Sequence, residues 1–123
     1  MLDASAILAT IQREKGFEQV DAVLTQATVS AVNYSEVIAK LADRGMPEAP
    51  ITLLLDRLNL NVSVFTEQQA QRAGQLRALT RKAGLSLGDR ACLALAEELG
   101  CPVVTADRAW AELDLGVPVV LIR

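Results

Sequence analysis

Apolar residues recur at helical spacing through most of the chain, and short unbroken apolar runs interrupt that pattern. After the stub Met1-Leu2, residues 4–14 read as a helix with Ile7, Leu8 and Ile11 on one face. Gly16 breaks it, and residues 17–26 repeat the pattern with Phe17, Val20, Val23 and Leu24. Residues 28–32 have strand composition. Asn33 then opens a helix through Val37, Ile38, Leu41 and Ala42, which Gly45 closes. Pro47 suits the start of the next helix, whose apolar face runs over 51–58. Residues 61–65 alternate as a strand. Residues 67–82 form a helix with Ala70, Ala73, Leu76 and Leu79 inward, ended by Gly84. A helix over 87–99 follows, with Gly100 just past its end, then a strand over 102–106, a short helix over 108–113 and a last strand over 117–122.

Short strands separated by helices point to parallel pairing with helices on both faces. The expected fold is α/β, a three-layer α/β/α sandwich with a mostly parallel central sheet. At 123 residues the chain is expected to be one domain, 1–123, with an ordinary hydrophobic core. No apolar run is long enough for a membrane span, and the N-terminus lacks a signal-peptide pattern, so a soluble cytoplasmic protein is expected. The apolar face over 48–58 suits either a partner or the core.

Within the helix over 87–99, the stretch SLGDRACLALA carries Asp89 at the front of a run that is otherwise almost wholly apolar and should be deeply buried. Ser86 and Asp89 fit a capping box, in which a carboxylate stabilises the helix start by roughly 0.3–1 kcal/mol. Three further acids fall at comparable places. Asp3 ends the stub, Glu36 lies in the first turn after the second strand, and Asp107 follows the strand over 102–106. Each has a capping explanation of its own, with Asn33 and Glu36 as a reciprocal pair. In a parallel sheet, however, these positions share the carboxyl edge, where ligands bind. Carboxylates gathered there repel one another unless divalent cations are bound, and oxygen-only ligands suit Mg²⁺ or Mn²⁺.

Composition narrows the chemistry. The chain has no histidine, which removes Ser-His-Asp and Cys-His nucleophile systems and the usual acid–base pair of metal-independent ribonucleases. A hydrolase built from this sequence must work through carboxylates. Cys92 and Cys101 are not spaced as a redox or zinc pair and are expected to be buried small hydrophobes. Four aromatics are too few for a base-stacking platform. The net charge of −3 argues against a nucleic-acid partner until the four acids are set aside, which leaves +1. Arg77, Arg81, Lys82, Arg90 and Arg108 are then candidates to meet phosphates, although the first three also suit a solvated helix face.

The segments LDASAIL (2–8), SAVNYSEV (30–37), LSLGDRACLALA (85–96) and VVTADRAW (103–110) together resemble the PIN-domain family, and within it the VapC-type toxin ribonucleases. The resemblance runs in order over nearly the whole chain. It implies a metal-dependent endoribonuclease, the toxin of a toxin–antitoxin pair, restrained by a VapB-type antitoxin and often a homodimer. It implies that Asp3, Glu36, Asp89 and Asp107 are the catalytic, metal-binding quartet, with Ser5, Asn33 and Thr105 as supporting polar groups. The implied substrate is structured RNA of the transfer or ribosomal class. Asp3, Asp89 and Asp107 are assigned to metal, and Glu36 to a second ion or to the attacking water. Only Met1 and Leu2 precede Asp3, so either the native start lies upstream or the first strand is short.

Other classes fit less well. Aspartate-based phosphohydrolases want D-x-D after the first strand, and Ser5 holds the third position. Neither the P-loop nor the dinucleotide-binding glycine pattern occurs. A non-catalytic module that keeps a nuclease fold for binding is the remaining alternative.

Overall fold

The computed structural model describes residues 1–123, and all of its strand pairing is parallel. Strand β1 (Thr28–Ser30) pairs with β2 (Asn61–Ser63), and β3 (Val103–Thr105) pairs with β4 (Val119–Leu121). The N-terminal stub joins the two ladders. Leu2 bridges to Val104 and donates its N–H to the Thr28 carbonyl at 3.0 Å, and Val104 donates to the Met1 carbonyl at 2.8 Å. The order across the sheet is therefore β2, β1, Leu2, β3, β4. The short first strand is reduced to this single central bridge.

Strand alternation sorts the core into two halves, because successive side chains point to opposite faces. Leu2 and Val104 pack with Ile7, Val37, Leu41 and Ile51, from helices α1 (Ala4–Gln12), α3 (Ala31–Asp43) and α4 (Glu48–Leu58). Met1 and Val103 pack with Leu76, Leu93, Leu95 and Trp110, drawing on α5 (Glu67–Thr80), α6 (Leu87–Leu99) and a short 3-10 helix, Arg108–Glu112. Helices thus cover both faces of the sheet, as expected for the α/β/α sandwich. No helix is long and apolar enough to cross a membrane.

Element ends differ from the sequence reading for local reasons. The second strand stops at Ser30 because the Ser30 side chain caps α3, accepting from the Val32 N–H. Asn33 therefore lies inside the helix instead of opening it, and it is not half of a reciprocal cap. The helix expected over 17–26 stops at Asp21, as α2 (Phe17–Asp21). The chain beyond it tightens into turns closed by the bonds Val23 to Val20 and Gln26 to Val23, which keep Val23 and Leu24 against the core.

In α5 the buried positions are Gln69, Ala73, Leu76 and Thr80, while Leu79 is 61% exposed. The inward face is rotated from the expected one, and two polar residues on it donate hydrogen bonds to neighbouring acceptors. Gln69 donates to Glu98 at 2.8 Å, and the Thr80 hydroxyl to the Leu76 carbonyl at 2.8 Å. The run in α6 is buried from Ala91 to Ala96, but Leu87 and Leu99 at its ends are exposed. Cys92 is fully buried and burial pushes its thiol above its ordinary value, so it behaves as a small hydrophobe, whereas Cys101 is only half-buried. The apolar face of α4 is largely core, with Ile51 and Leu55 buried and Leu53 exposed.

Candidate active site

Parallel pairing sends the ends of the stub, β1 and β3 to the same edge of the sheet, and each is followed by a helix start. A cleft of about 450 Å³ opens there. Its lining includes Asp3, Ser5, Glu36, Ser86, Asp89 and Asp107, so the four acids singled out in the sequence converge on one space. Asp3, Asp89 and Asp107 are also caps or capping-box partners, so for them the capping explanation and convergence hold together, whereas Glu36, expected in a first turn, lies in the second turn of α3 because that helix already starts at Ala31.

Asp3 is the most firmly held. It is the N-cap of α1 and only 3% exposed. Its Oδ1 accepts from the Ala6 N–H at 2.9 Å and the Ser5 hydroxyl at 2.7 Å, and its Oδ2 accepts from the Thr105 hydroxyl at 2.5 Å. Thr105 is fully buried, and its hydroxyl oxygen also accepts from the Asp107 N–H at 3.0 Å. One side chain thereby fixes two acids. Ser5 closes the set by accepting from the Ala106 N–H at 2.9 Å.

The remaining acids are each steered by one oxygen and keep the other without a protein partner. Asp89 accepts through Oδ2 from the Ser86 N–H at 3.0 Å, in the expected capping box. Asp107 accepts through Oδ1 from Ala109 at 2.9 Å and is exposed. Glu36 accepts through Oε2 from the Asn33 amide at 2.9 Å, and Asn33 donates as well to the Gly88 carbonyl at 3.0 Å. Asn33 is fully buried and joins α3 to the first turn of α6.

The electrostatics centre on Asp89. Burial raises its carboxyl above the ordinary value, and the Asp107 charge adds to that. Burial likewise raises Glu36 and takes Asp3 up to about 6, with Asp89 reinforcing both shifts. In the absence of metal these groups oppose folding when ionised. Between the unfolded and folded values of Asp3, 3.8 and about 6, the native state binds more protons than the unfolded one. Stability therefore rises as pH falls through that window, and no histidine titrates across it in the opposite sense. Thermal melts in EDTA are expected to show a higher melting temperature at pH 5 than at pH 7.5, by on the order of 1 kcal/mol from Asp3 alone. A lower melting temperature at pH 5 would refute this account of the cleft.

Divalent metal is the other way to relieve the same repulsion. The donor set fits a hard cation: oxygen only, with Glu36 Oε1, Asp89 Oδ1 and Asp107 Oδ2 free of protein partners. No three acids stand close enough to chelate one ion in common. Mg²⁺ does not require that, since it keeps several waters and takes one or two carboxylates together with substrate phosphates.

The cleft also contains Lys40 and Asp43, which the sequence reading passed over. Both follow from Glu36 at helical spacing, four and seven residues on, and that periodicity was the available signal. Of the five cations suggested for phosphate, none lines the cleft. Arg77, Arg81 and Lys82 are exposed at the end of α5 and beyond it. Arg90 donates to the Ala73 carbonyl at 2.8 Å, clipping α6 to α5, and Arg108 to the Arg123 carbonyl at 3.4 Å.

The fold is similar to chains in the DNA-bound VapBC of Salmonella typhimurium (TM-score 0.76, 21% identity, covering 100% of this chain and 97% of that one). It is also similar to a toxin–antitoxin complex from Klebsiella pneumoniae (TM-score 0.69, 19% identity, 99% and 96% covered). A third is VapBC2 of Rickettsia felis bound to a DNA fragment from their promoter (TM-score 0.74, 14% identity, 98% and 96% covered). No match is found among curated proteins. The PIN domain model matches residues 1–115, and the chain belongs to the PIN domain family.

Proposed function

We propose that this chain is an Mg²⁺- or Mn²⁺-dependent endoribonuclease, the toxin of a toxin–antitoxin pair. One observation carries the reading: Asp3, Asp89 and Asp107 from helix starts and strand ends, and Glu36 from the second turn of α3, reach a single cleft. Family membership agrees with it, and so does the likeness to chains of toxin–antitoxin complexes. A VapB-type antitoxin is the proposed partner, the homodimer the proposed assembly, and RNA of the transfer or ribosomal class the proposed substrate.

A bound Mg²⁺ or Mn²⁺ supplies positive charge to the phosphoryl oxygens and lowers the pKa of water. Asp3, Asp89 and Asp107 would supply its protein ligands, one or two at a time and completed by water and substrate phosphate, and Glu36 would take a second ion or orient the attacking water. Asp3, pinned by Ser5, Thr105 and the Ala6 N–H, keeps its direction without reorganising. Thr105 couples Asp107 to that anchor. Asp89 sits at the positive end of α6, which favours its ionised form against the neighbouring charges. Lys40 is the cleft's one basic residue and a candidate positive charge for a phosphate. Arg77, Arg81, Lys82 and Arg108 would serve only a longer RNA that extends past the cleft.

Total RNA incubated with the purified chain is expected to be cut with Mg²⁺ or Mn²⁺ and left intact with EDTA. The products should carry 5′-phosphate and 3′-hydroxyl ends, because water and not the 2′-hydroxyl is the nucleophile. Cyclic 2′,3′-phosphate ends, or cleavage indifferent to EDTA, would overturn the scheme. The spread of the acids favours one second reading, a binding module without catalysis, for which no metal-dependent cleavage occurs under any condition.

A further inference from the structure

Gly88 is the second residue of α6, between Leu87 and the capping Asp89. Glycine is the poorest ordinary helix former apart from proline, and Gly88 has no positive φ that would require it. The reason lies across the cleft wall. A Cβ built on Gly88 would stand 2.0 Å from Glu36 Oε1 and 2.3 Å from both its Cδ and Oε2. The carboxylate of Glu36 occupies the place that any larger residue would fill. Gly74, the helical glycine of α5, has nothing within 4 Å of the same point, so the close approach is particular to Gly88.

The slot is closed by Asn33. Its buried amide donates both to Glu36 Oε2 and to the Gly88 carbonyl, so the carboxylate is tied to the backbone it rests against. We propose that Gly88 is a positioning residue: its missing side chain admits the Glu36 carboxylate to the cleft beside Asp89, and Asn33 latches it there. The proposal rests on the nuclease reading for its functional consequence but not for its geometry. With alanine at 88, the flexible Glu36 side chain is the part that must move, which breaks the Asn33 bond and withdraws the carboxylate from the metal side of the cleft.

A double-mutant cycle of Gly88→Ala and Glu36→Ala tests this in the full chain, with Gly74→Ala as control. Melts in EDTA read the slot. Gly88→Ala should be less favourable to the melting temperature when Glu36 is present than in the Glu36→Ala background, where the space is vacant and alanine is the better helix former. Calorimetric titration with Mn²⁺ reads the consequence. Gly88→Ala should weaken binding about tenfold with Glu36 present and not at all in the Glu36→Ala background. The same loss in both backgrounds, or no loss in either, would overturn the proposal, and Gly74→Ala should leave Mn²⁺ affinity unchanged. If the unaltered chain neither binds Mn²⁺ nor cleaves RNA, the nuclease reading falls and takes the functional half of the proposal with it. The melting cycle still decides whether Glu36 fills the slot.

Discussion

Asp89→Asn is expected to reduce metal-dependent RNA cleavage by about 10²–10³-fold while raising the melting temperature of the metal-free chain. The two effects have one origin. Asp3, Glu36 and Asp107 each couple to the Asp89 charge, so its removal relaxes the whole cleft. The fold tolerates the change because the asparagine oxygen can still accept from the Ser86 N–H and keep the capping box. What the amide cannot supply is the anionic oxygen a hard cation needs. Cleavage assays over a range of Mn²⁺ concentrations, beside melts in EDTA, would check both halves. Full activity in the variant would show that the acids cap helices and nothing more, whereas lost activity with a lowered melting temperature would show a folding defect.

The opposition between stability and charge explains why so much of the site was legible in the sequence. Asp3, Asp89 and Asp107 are N-terminal caps or capping-box partners, a role readable from spacing alone. The strand-and-helix order then put them at one edge. Glu36 was legible as a member of the cluster but not in its place on the helix or its attachment. Asn33 looked like the start of its helix because Asn is a good cap, and only the fold shows that Ser30 takes that role and frees Asn33 to reach Gly88 across 55 positions of sequence.

Contacts of that range leave no periodic trace. The same limit applies to Arg90, whose guanidinium reaches the Ala73 carbonyl and not the cleft, and to Gln69, whose amide reaches Glu98 on another helix. Leu2 is the converse case. A two-residue stub is too short to read as a strand, yet it lies at the centre of the sheet because residues on both sides pair with it.

Gly16→Ala is expected to destabilise the chain by about 2–5 kcal/mol, the largest stability effect among its loop glycines. Gly16 has φ +91°, a conformation costing an L side chain about 1–2 kcal/mol by itself. Its Cβ would also lie 2.0 Å from the Ile122 carbonyl oxygen and 2.8 Å from the Ile122 Cβ, so the C-terminal segment has to move. Overpacking of that kind adds roughly 1–3 kcal/mol. Gly84 separates the two contributions, since it has φ +69° and nothing within 4 Å of its Cβ position, and Gly84→Ala should show the backbone cost alone. The displaced residue matters to the site. Ile122 donates to the Thr105 carbonyl at 3.0 Å, and the Thr105 hydroxyl holds both Asp3 and Asp107. Gly16→Ala should therefore weaken Mn²⁺ binding from the far side of the sheet, while Gly84→Ala should not. Denaturant melts and Mn²⁺ titrations of the two variants side by side decide the matter, and equal losses of stability would remove the steric link between the α1–α2 turn and the last strand.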